Sequence, residues 1–458
     1  MPPPRRPRRR RTPVAARIFG AVFLLGLGFF SLRFGKIVGN IAGPKGTLSF
    51  LETIRNPRSR FPGKDRINIL LIGKDYNRDR KGMPVTKAYV RDPETGTVTV
   101  RNIARADSIL LLSCDLAAGT VAALSIPRDT KVTAPDGRTG KINATYARGG
   151  AELLRATVAE LTGVRPDHVI AIKPDAIRTI VNLVGGVEVE TLDVMKYDDS
   201  WGNLHIDLPK GRQRLDGNKA VGFARFREVK PGTRHSLEEG DGRRMARQQQ
   251  LIRAMISRGK SPDNLLKADV IIKESLKQLE KDLTDEQIYA LAALYRGIDT
   301  DKIASASLIG EGRFEGGYYF FPDPEKTRAL VDWLIRGDAA AANRVTTVAV
   351  FNGTAVKGAA RRIADKLHDE AGFDTVARSL PRTTEAAADL PRTRIYYAKA
   401  AHLDRARAIA GLLGGGEILK ASGPDTQGVM ETSKQRPDIS VLLGRDLLGP
   451  DPATPPTP

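Results

Sequence analysis

The chain has 458 residues, of which 73 are Lys or Arg and 53 are Asp or Glu, so its formal net charge is +20. This length predicts two or three domains, each long enough to bury a core. With 41% hydrophobic and 28% charged residues, the composition excludes a polytopic membrane protein and a wholly disordered chain. The single cysteine, Cys114, excludes an internal disulfide framework and a cysteine-rich zinc site.

The chain begins with an arginine-rich tail, residues 1–13, which is followed by the uncharged run IFGAVFLLGLGFFSL between Arg17 and Arg33. With arginines at both ends, the segment 14–36 is long enough to cross a bilayer as one transmembrane helix. The positive-inside rule then predicts a cytoplasmic N-terminus, a single-pass protein of the cell membrane, and an extracytoplasmic remainder. A cleavable signal peptide and a buried helix are the alternatives. A membrane span directly after the basic tail argues against nucleic acid as a partner.

A linker rich in turn-forming residues, 37–63, precedes a large α/β domain, which we expect over residues 64–340 with its core at 67–258. Short apolar runs bounded by turn signals predict buried strands; these runs are INILLIG (67–73), SILLLSC (108–114), TVAALSI (120–126) and HVIAIK (168–173). Helical patterns follow or separate these strands near 147–162, 174–184 and 241–258. Their alternation predicts an α/β domain.

A second, smaller α/β domain is expected over residues 345–446, followed by a disordered tail, 447–458. It opens with the strand pattern VTTVAVFNGT, continues with a helix pattern to about residue 371, and ends on the strand pattern ISVLLGRDL. In the large domain, VTKAYVRD and TVTVRNI flank a Pro-Glu-Thr-Gly turn and predict a hairpin between the first two strands.

One predicted helix carries polar residues on the stripe that it would bury. At 100° per residue, Asp241, Arg244 and Gln248 continue the stripe formed by Leu251 and Met255. A buried charge costs several kcal/mol unless it is paired or binds a ligand, so this stripe indicates a site. The alternative is an ion pair in the solvated first turn of the helix.

Polar residues also stand at the ends of the apolar strands, where α/β folds bind ligands. Asp75 follows the first strand, Asp107 precedes the second, and Arg128 and Asp129 follow the third. Four further candidates come later in the chain, namely Lys141 and Asn143 in GKINATY and Arg225 and Arg227 in GFARFRE. A spacing of two places Arg225 and Arg227 on one face only if that segment is a strand.

This inventory combines acids with arginines and lacks both a His/Cys metal pattern and a G-x-S-x-G elbow. Oxygen ligands favour Mg²⁺ or a similar hard divalent cation, and planar guanidinium groups favour bidentate phosphate binding. These are the requirements of diphosphate chemistry. The five histidines lack ligand spacing, and Cys114 is expected to be a small core residue.

The chain resembles the LytR-CpsA-Psr proteins. The motifs that carry the resemblance occur in that family's order and spacing over residues 67–258 and include LIGKD, ARADSILLLS, LSIPRDT, KINATYARGG, LVGGVEVE, LDGNKAVGFARFR and DGRRMARQQQ. The resemblance implies an α/β domain with a central mixed sheet flanked by helices. The segment from Val345 to Leu443 is similar to the LytR C-terminal domain.

What the resemblance implies is a membrane-anchored phosphotransferase that moves a glycopolymer from a polyprenyl diphosphate carrier to peptidoglycan. Asp75 and Asp107 would hold Mg²⁺. The diphosphate ligands would be Arg105, Arg128, Lys141, Asn143, Arg225, Arg227, Arg244 and Gln248. The catalytic group would be Arg128, Asp129, Asp241 and Arg244, with Asp129 and Asp241 the alternatives for the general base. The polyprenyl chain would lie in an apolar cavity under the sheet, beside the helices at 147–184.

Two other functions remain open at this point. A polyprenyl diphosphate hydrolase would use the same residues, with water in place of the sugar hydroxyl. A non-enzymatic envelope-binding or regulatory protein is the third hypothesis, suggested by the family's historical name of transcriptional attenuator.

Overall fold

The computed structural model of the chain divides into two compact units, Met1–Thr327 and Arg328–Pro458. It describes residues 55–75, 105–173, 175–199, 204–226, 261–265, 267–295, 303–378, 390–398, 402–421 and 437–447, with shorter stretches between 52 and 102 and between 247 and 259. The predicted arginine-rich tail, the predicted transmembrane segment and the last residues of the predicted C-terminal tail lie outside these ranges. Within them, no helix combines the length and the apolar character needed to cross a membrane.

The strands that the structure describes in the first unit lie between Arg66 and Pro322. They are β1 (Arg66–Asp75), β2 (Asn77–Arg78), β3 (Pro84–Val85), β4 (Lys87–Arg91), β5 (Val98–Asn102), β6 (Arg105–Asp115), β7 (Thr120–Ile126), β8 (Lys131–Thr133), β9 (Thr139–Lys141), β10 (His168–Ile172), β11 (Val187–Thr191), β12 (Met195–Asp199), β13 (Leu204–Leu208), β14 (Gly211–Leu215), β15 (Leu279–Lys281), β16 (Ala304–Ser307), β17 (Gly310–Phe314) and β18 (Tyr318–Pro322). Its helices are α1 (Ile142–Thr162), α2 (Ala176–Leu183), α3 (Gly217–Arg225), α4 (Pro262–Leu265), α5 (Ala268–Leu276) and α6 (Asp285–Leu294), and α7 (Pro324–Val331) runs across the boundary between the units.

A six-stranded mixed sheet in the order β15-β10-β1-β6-β7-β16 forms the centre of this unit. The strand β6 runs antiparallel to both of its neighbours, β1 and β7, whereas β10 and β16 join parallel to β1 and β7. The four predicted buried strands are confirmed, as is the predicted hairpin, which is the antiparallel pair β4–β5. The edge strands β15 and β16 come from sequence beyond residue 258, so the sheet extends past the predicted core segment.

Both faces of the sheet are covered, which is why its central strands are apolar without alternation. Ile69, Leu71 and Leu110 belong to one core, together with residues of α2, α3, α5 and α6. Leu70 and Ile72 are equally buried and point to the opposite face, because side chains alternate along a strand. There α1 contacts β6 and β10. The predicted mixed sheet with flanking helices is therefore confirmed.

The core reaches back into the segment predicted as linker. A 3₁₀ helix, Pro57–Arg60, contacts α6, and Phe61 directly after it is 4% exposed and belongs to the main core. The end of the predicted linker is therefore part of the folded unit, because the buried ring of Phe61 packs in its core.

The start of the segment GFARFRE, residues 222–225, is the end of the helix α3 and not a strand. The Asp216 side chain accepts a hydrogen bond from the backbone N–H of Lys219 at the N-terminus of α3. Ala220, Phe223 and Ala224 then share one buried face at helical spacing. Arg225 is the last residue of α3 and is exposed, whereas Arg227 lies outside the described residues.

The second unit is built on a five-stranded sheet in the order β20-β19-β23-β21-β22. Its strands are β19 (Thr347–Asn352), β20 (Asp374–Arg378), β21 (Arg394–Tyr397), β22 (Glu417–Lys420) and β23 (Ile439–Leu443), and its further helices are α8 (Ala359–Ala371) and α9 (Leu403–Leu413). Val350, Leu367, Ile409 and Val441 are fully buried in one core, between the sheet and the two helices. The predicted α/β pattern of this segment is confirmed.

Candidate active site

Three strand ends meet at one edge of the central sheet. Because β1 and β6 are antiparallel, the last residue of β1, Asp75, pairs with the first residue of β6, Arg105. The end of β7 lies at the same edge, since Ile126 pairs with Ile109. Arg128 and Asp129 follow β7 directly. The backbone positions of Asp75, Arg105, Arg128 and Asp129 therefore lie at the same edge of the sheet.

A β-bulge sets the position of Asp107. Gly73 pairs with Ser108 and Lys74 pairs with Ala106, so Asp107 is an extra residue in β6 without a partner of its own in the ladder. Bulges bend a strand and change the direction of a side chain, and they are frequent beside active sites. Gly73 makes this close approach feasible, because a Cβ there would lie 2.9 Å from the Cβ of Ser108.

Four of the predicted site residues form a row of alternating charges. The Arg128 Nη1 lies 3.2 Å from Asp107 Oδ1, and the Arg128 Nε lies 3.7 Å from Asp129 Oδ2. The Lys141 Nζ lies 2.8 Å from the other carboxylate oxygen of Asp129. The side chain of Arg128 is 47% exposed and that of Asp129 is 23% exposed, so solvent and ligands can reach the row.

Backbone hydrogen bonds tie the Arg128-Asp129 segment to the start of α1. The backbone N–H of Asn143 donates to the Arg128 carbonyl at 3.2 Å, and that of Ile142 donates to the Thr130 carbonyl at 2.8 Å. Asn143 is buried, with 6% of its surface exposed. These hydrogen bonds join the loop after β7 to the first turn of α1. They thereby hold Arg128, Asp129, Lys141 and Asn143 close to one another.

The β17–β18 hairpin also contacts the row of charges, although the strand and helix patterns of the sequence do not predict it. The backbone N–H of Phe320 donates to the Asp129 carbonyl at 2.9 Å, and Thr130 and Phe320 form a parallel bridge. The Lys141 Nζ lies 5.7 Å from the centre of the Tyr319 ring. The signal in the sequence was the glycine-flanked aromatic run GGYYFFP.

A buried lysine next to Asp75 was also missed. The side chain of Lys74 is 2% exposed, and its Nζ lies 2.6 Å from Glu280 Oε1 and 5.6 Å from the centre of the Tyr146 ring. The Tyr146 hydroxyl lies 3.3 Å from the other carboxylate oxygen of Glu280. A charged pair with one buried partner fixes the end of β1, where Asp75 is located.

The remaining predicted site residues are less well defined by the structure. The backbone of Asp75 is described but its side chain is not, and Arg105 beside it is exposed. Arg225 is on α3, which packs against α2, β13 and β14. Four predicted residues lie outside the described residues, namely Arg227, Asp241, Arg244 and Gln248. Their roles stay predictions.

The structure describes one carboxylate at this edge that could contribute to a site for a hard cation. Mg²⁺ in proteins is commonly held by one or two carboxylates and by phosphate oxygens of the substrate. That carboxylate is Asp107, and Asp75, whose side chain the structure does not describe, is the predicted second ligand. Among the described residues there is no group of three His, Cys, Asp or Glu side chains that could hold a metal without the substrate.

Comparison with protein-family models gives two matches that divide the chain between them. The model described as LytR_cpsA_psr family matches residues 51–334. The model described as LytR cell envelope-related transcriptional attenuator matches residues 345–447.

The chain is also similar to curated proteins and to solved structures. The chain is 31% identical over 226 residues to the polyisoprenyl-teichoic acid–peptidoglycan teichoic acid transferase TagV of Bacillus subtilis, over 48% of this chain and 56% of that protein. It is 33% identical over 210 residues to the probable cell wall biosynthesis protein LcpB of Corynebacterium glutamicum, over 46% of each chain. The crystal structure of B. subtilis TagV is similar with a TM-score of 0.43 and 27% identity, over 60% of this chain and 98% of that one. The chain thus spans about half the length of these two curated relatives.

Proposed function

The chain belongs to the LytR_cpsA_psr family, and from this premise we propose that it is a membrane-anchored transferase. Its proposed reaction moves a glycopolymer, with one phosphate, from a polyprenyl diphosphate carrier to a hydroxyl of peptidoglycan outside the membrane. Named relatives support this proposal, because TagV carries the name of a transferase between polyisoprenyl-linked teichoic acid and peptidoglycan. The membrane anchor rests on the apolar segment 14–36.

The observation that carries the proposal is the row Asp107, Arg128, Asp129 and Lys141. The guanidinium group of Arg128 is about half exposed and lies between two carboxylates. It can therefore exchange one carboxylate for a phosphate oxygen and still keep an anionic partner. An ammonium group at the far end of the row adds a second cation within reach of the same ligand. Anionic diphosphates and arginine forks form strong charge-assisted hydrogen bonds.

The residues suggest one course for the reaction. Arg128 and Lys141 hold the diphosphate, with Arg105 at the same edge, and orient its sugar-linked phosphorus towards the acceptor. The acceptor hydroxyl attacks that phosphorus, the P–O bond to the polyprenyl phosphate breaks, and polyprenyl monophosphate leaves. Asp129 takes the proton of the hydroxyl, while the two cations stabilise the negative charge that develops on the leaving phosphate.

We propose Asp75 and Asp107 as the residues that hold Mg²⁺. When bound there, the ion would neutralise negative charge on the diphosphate oxygens during transfer. Asp107 fits this role because the bulge brings it out of the strand ladder, at the edge where Arg128 also lies. The polyprenyl chain is proposed to lie in an apolar cavity under the sheet, beside α1 and α2.

The test is transfer of a labelled glycan phosphate by the full-length chain in detergent, from a polyprenyl diphosphate donor to peptidoglycan. Arg128→Ala is expected to lower kcat/KM about 100-fold to 1,000-fold, the usual loss when a donor to a developing charge is removed. Arg128→Lys keeps the charge but loses the planar fork, so an intermediate loss is expected.

Arg138→Ala is the matched control. Arg138 is also an exposed arginine, located in the turn between β8 and β9. Its substitution is expected to leave kcat/KM within about twofold of wild type, as for surface substitutions in general. Equal activity of Arg128→Ala and Arg138→Ala would contradict the assigned site.

A further inference from the structure

The β17–β18 hairpin has two chemically different faces. In its antiparallel register, Arg313 is opposite Tyr319 and Glu311 is opposite Phe321, so these four side chains share one face. Phe314 and Tyr318 are the next pair and lie on the other face. We call the face that carries Tyr319 and Phe321 the aromatic face.

Cations pack against both rings of the aromatic face. The Lys131 Nζ lies 5.6 Å from the centre of the Tyr319 ring and 5.1 Å from that of Phe321. The Arg313 guanidinium lies 4.9 Å from Phe321, and Lys141 approaches Tyr319 at 5.7 Å. Lys131 and Lys141 lie opposite each other in the antiparallel pair β8–β9. Both side chains are therefore on the same face of that pair, the face that contacts the rings. The contacts fix both rings in place.

Each cation at the aromatic face has an acidic partner. Lys131 Nζ lies 2.5 Å from Glu315 Oε2, Lys141 Nζ lies 2.8 Å from Asp129 Oδ1, and Arg313 Nη2 lies 3.5 Å from Glu311 Oε2. Three cations and three carboxylates give this set no net charge. Every cation that contacts the two rings is thus already paired, so an uncharged ligand can bind beside the rings without separating an ion pair.

A neutral saccharide chain matches these properties. Its hydroxyl groups both donate and accept hydrogen bonds, and paired ammonium and carboxylate groups offer both partners. Its ring faces are apolar and pack against aromatic side chains, which combine large contact area with few rotatable bonds. The groups are accessible, since the side chains of Glu315 and Arg313 are 46% and 57% exposed and those of Tyr319 and Phe321 are partly exposed.

The aromatic face is directly connected to the candidate active site. Phe320, between its two rings, donates a backbone hydrogen bond to Asp129, and Lys141 belongs both to the row of charges and to the contacts of Tyr319. We propose that the aromatic face binds the neutral glycan strand of the acceptor and leads its hydroxyl to Asp129. This inference rests on the proposed function, because it assigns the acceptor of that same site.

The test compares substitutions on the two faces of one hairpin, in the full-length chain in detergent. Tyr319→Leu and Phe321→Leu remove a ring and keep an apolar side chain of similar size. Each is expected to raise the KM for peptidoglycan about threefold to tenfold, from the loss of aromatic packing, while the KM for the lipid diphosphate stays within about twofold. Phe314→Leu is the control, because Phe314 is 77% exposed on the opposite face.

A direct binding measurement makes the result independent of transfer. Titration calorimetry with chitotetraose, a neutral oligosaccharide, is expected to give a Kd that rises in Tyr319→Leu and Phe321→Leu by the same factor and is unchanged in Phe314→Leu. An unchanged KM for peptidoglycan with an unchanged Kd for chitotetraose, or an effect confined to the lipid donor, would overturn the proposal. A different outcome is also distinguishable. If the wild-type chain transfers no glycan phosphate but still binds chitotetraose in a way that depends on the two rings, the proposed transferase function is contradicted and the proposal of a glycan site on the aromatic face is supported.

Discussion

At the residue scale, the site consists of charges that neutralise one another in the absence of substrate. Asp107 and Asp129 both form ion pairs with Arg128, and Asp129 also forms an ion pair with Lys141. Because all four side chains keep contact with solvent, the pairs cost little to break and contribute little to stability. Their arrangement is therefore better explained by ligand binding than by folding.

The Lys74–Glu280 pair differs, because the lysine is 2% exposed and the glutamate 48% exposed. Glu280→Gln leaves the buried ammonium group without its anionic partner and is expected to destabilise the first unit by about 1 to 3 kcal/mol. Lys74→Met removes the charge itself and fills similar space, so a smaller loss is expected. Urea unfolding of both variants measures this difference. A larger loss for Lys74→Met would show that the ammonium group is needed for stability in its own right.

Cys114 gives a prediction for the dependence of stability on pH. It lies in β6 and is buried, as predicted, and burial raises the pKa of its thiol from 9.0 to about 12, against the opposing effect of Arg66. Below pH 9 the thiol is protonated in both states and contributes nothing to the pH dependence. Above pH 9 the unfolded state loses a proton that the native state keeps, so the free energy of unfolding falls by up to about 1.4 kcal/mol per pH unit.

Cys114→Ala lacks this contribution. Urea unfolding measures the free energy of unfolding at pH 8 and at pH 10. Between these pH values, that free energy is expected to fall by about 1 kcal/mol more in wild type than in Cys114→Ala. The cost of the smaller side chain is the same at both pH values and cancels in the comparison. Parallel loss in the two proteins would contradict the buried, neutral thiol.

The residue types of the site could be predicted from the sequence, whereas their exact setting could not. Asp107 and Arg128 were identified because polar residues at the ends of apolar strands are conspicuous. The bulge at Asp107 depends on the register between β1 and β6, which apolar runs alone do not specify. The burial of Lys74 depends on Glu280, a residue more than 200 positions away in sequence.

At the element scale, the shape of α1 matters most for the site. Gly149 and Gly150 have non-helical dihedral angles, and Gly150 has φ 67° and ψ −154°, so α1 is kinked. The kink follows the first turns, which carry Asn143 and Tyr146. The predicted helix began at residue 147, because the polar start of α1 does not show the apolar periodicity of its second half.

Gly150→Ala is expected to destabilise the first unit by about 1 to 3 kcal/mol, because that combination of dihedral angles is accessible essentially only to glycine. Gly411→Ala is the control, because Gly411 lies inside α9 and an added Cβ would meet open space there. This substitution is expected to raise the free energy of unfolding by about 0.5 to 1 kcal/mol. Thermal unfolding of both variants tests the pair. A neutral Gly150→Ala would contradict the kink.

The elements that were predicted correctly are those whose signal is local. The strands β1, β6, β7 and β10 are short runs of apolar residues bounded by turn signals, and this combination predicts buried strands. The helix α3 was not among the predicted helices, because it has only nine residues and its buried face, Ala220 to Ala224, is short. The β17–β18 hairpin was missed because its aromatic residues are consecutive, and only pairing shows which of them share a face.

At the scale of the whole molecule, the two units match two family models, and the site lies entirely in the first. The formal net charge of the chain is +20, and the row of charges offers a phosphate-bearing ligand a local site with two cations. The neutral aromatic face beside it offers a different surface to a second substrate. One anionic donor and one neutral acceptor are the requirements of a transferase, whereas a hydrolase requires only the first.

Following the labelled phosphate of a polyprenyl diphosphate glycan, with and without peptidoglycan, distinguishes a transferase from a hydrolase. The full-length chain is expected to release polyprenyl monophosphate only when peptidoglycan is present, with the labelled phosphate joined to peptidoglycan in a phosphodiester. Release of the same monophosphate at an equal rate without peptidoglycan, with the label on free glycan phosphate, would contradict a transferase and identify a hydrolase.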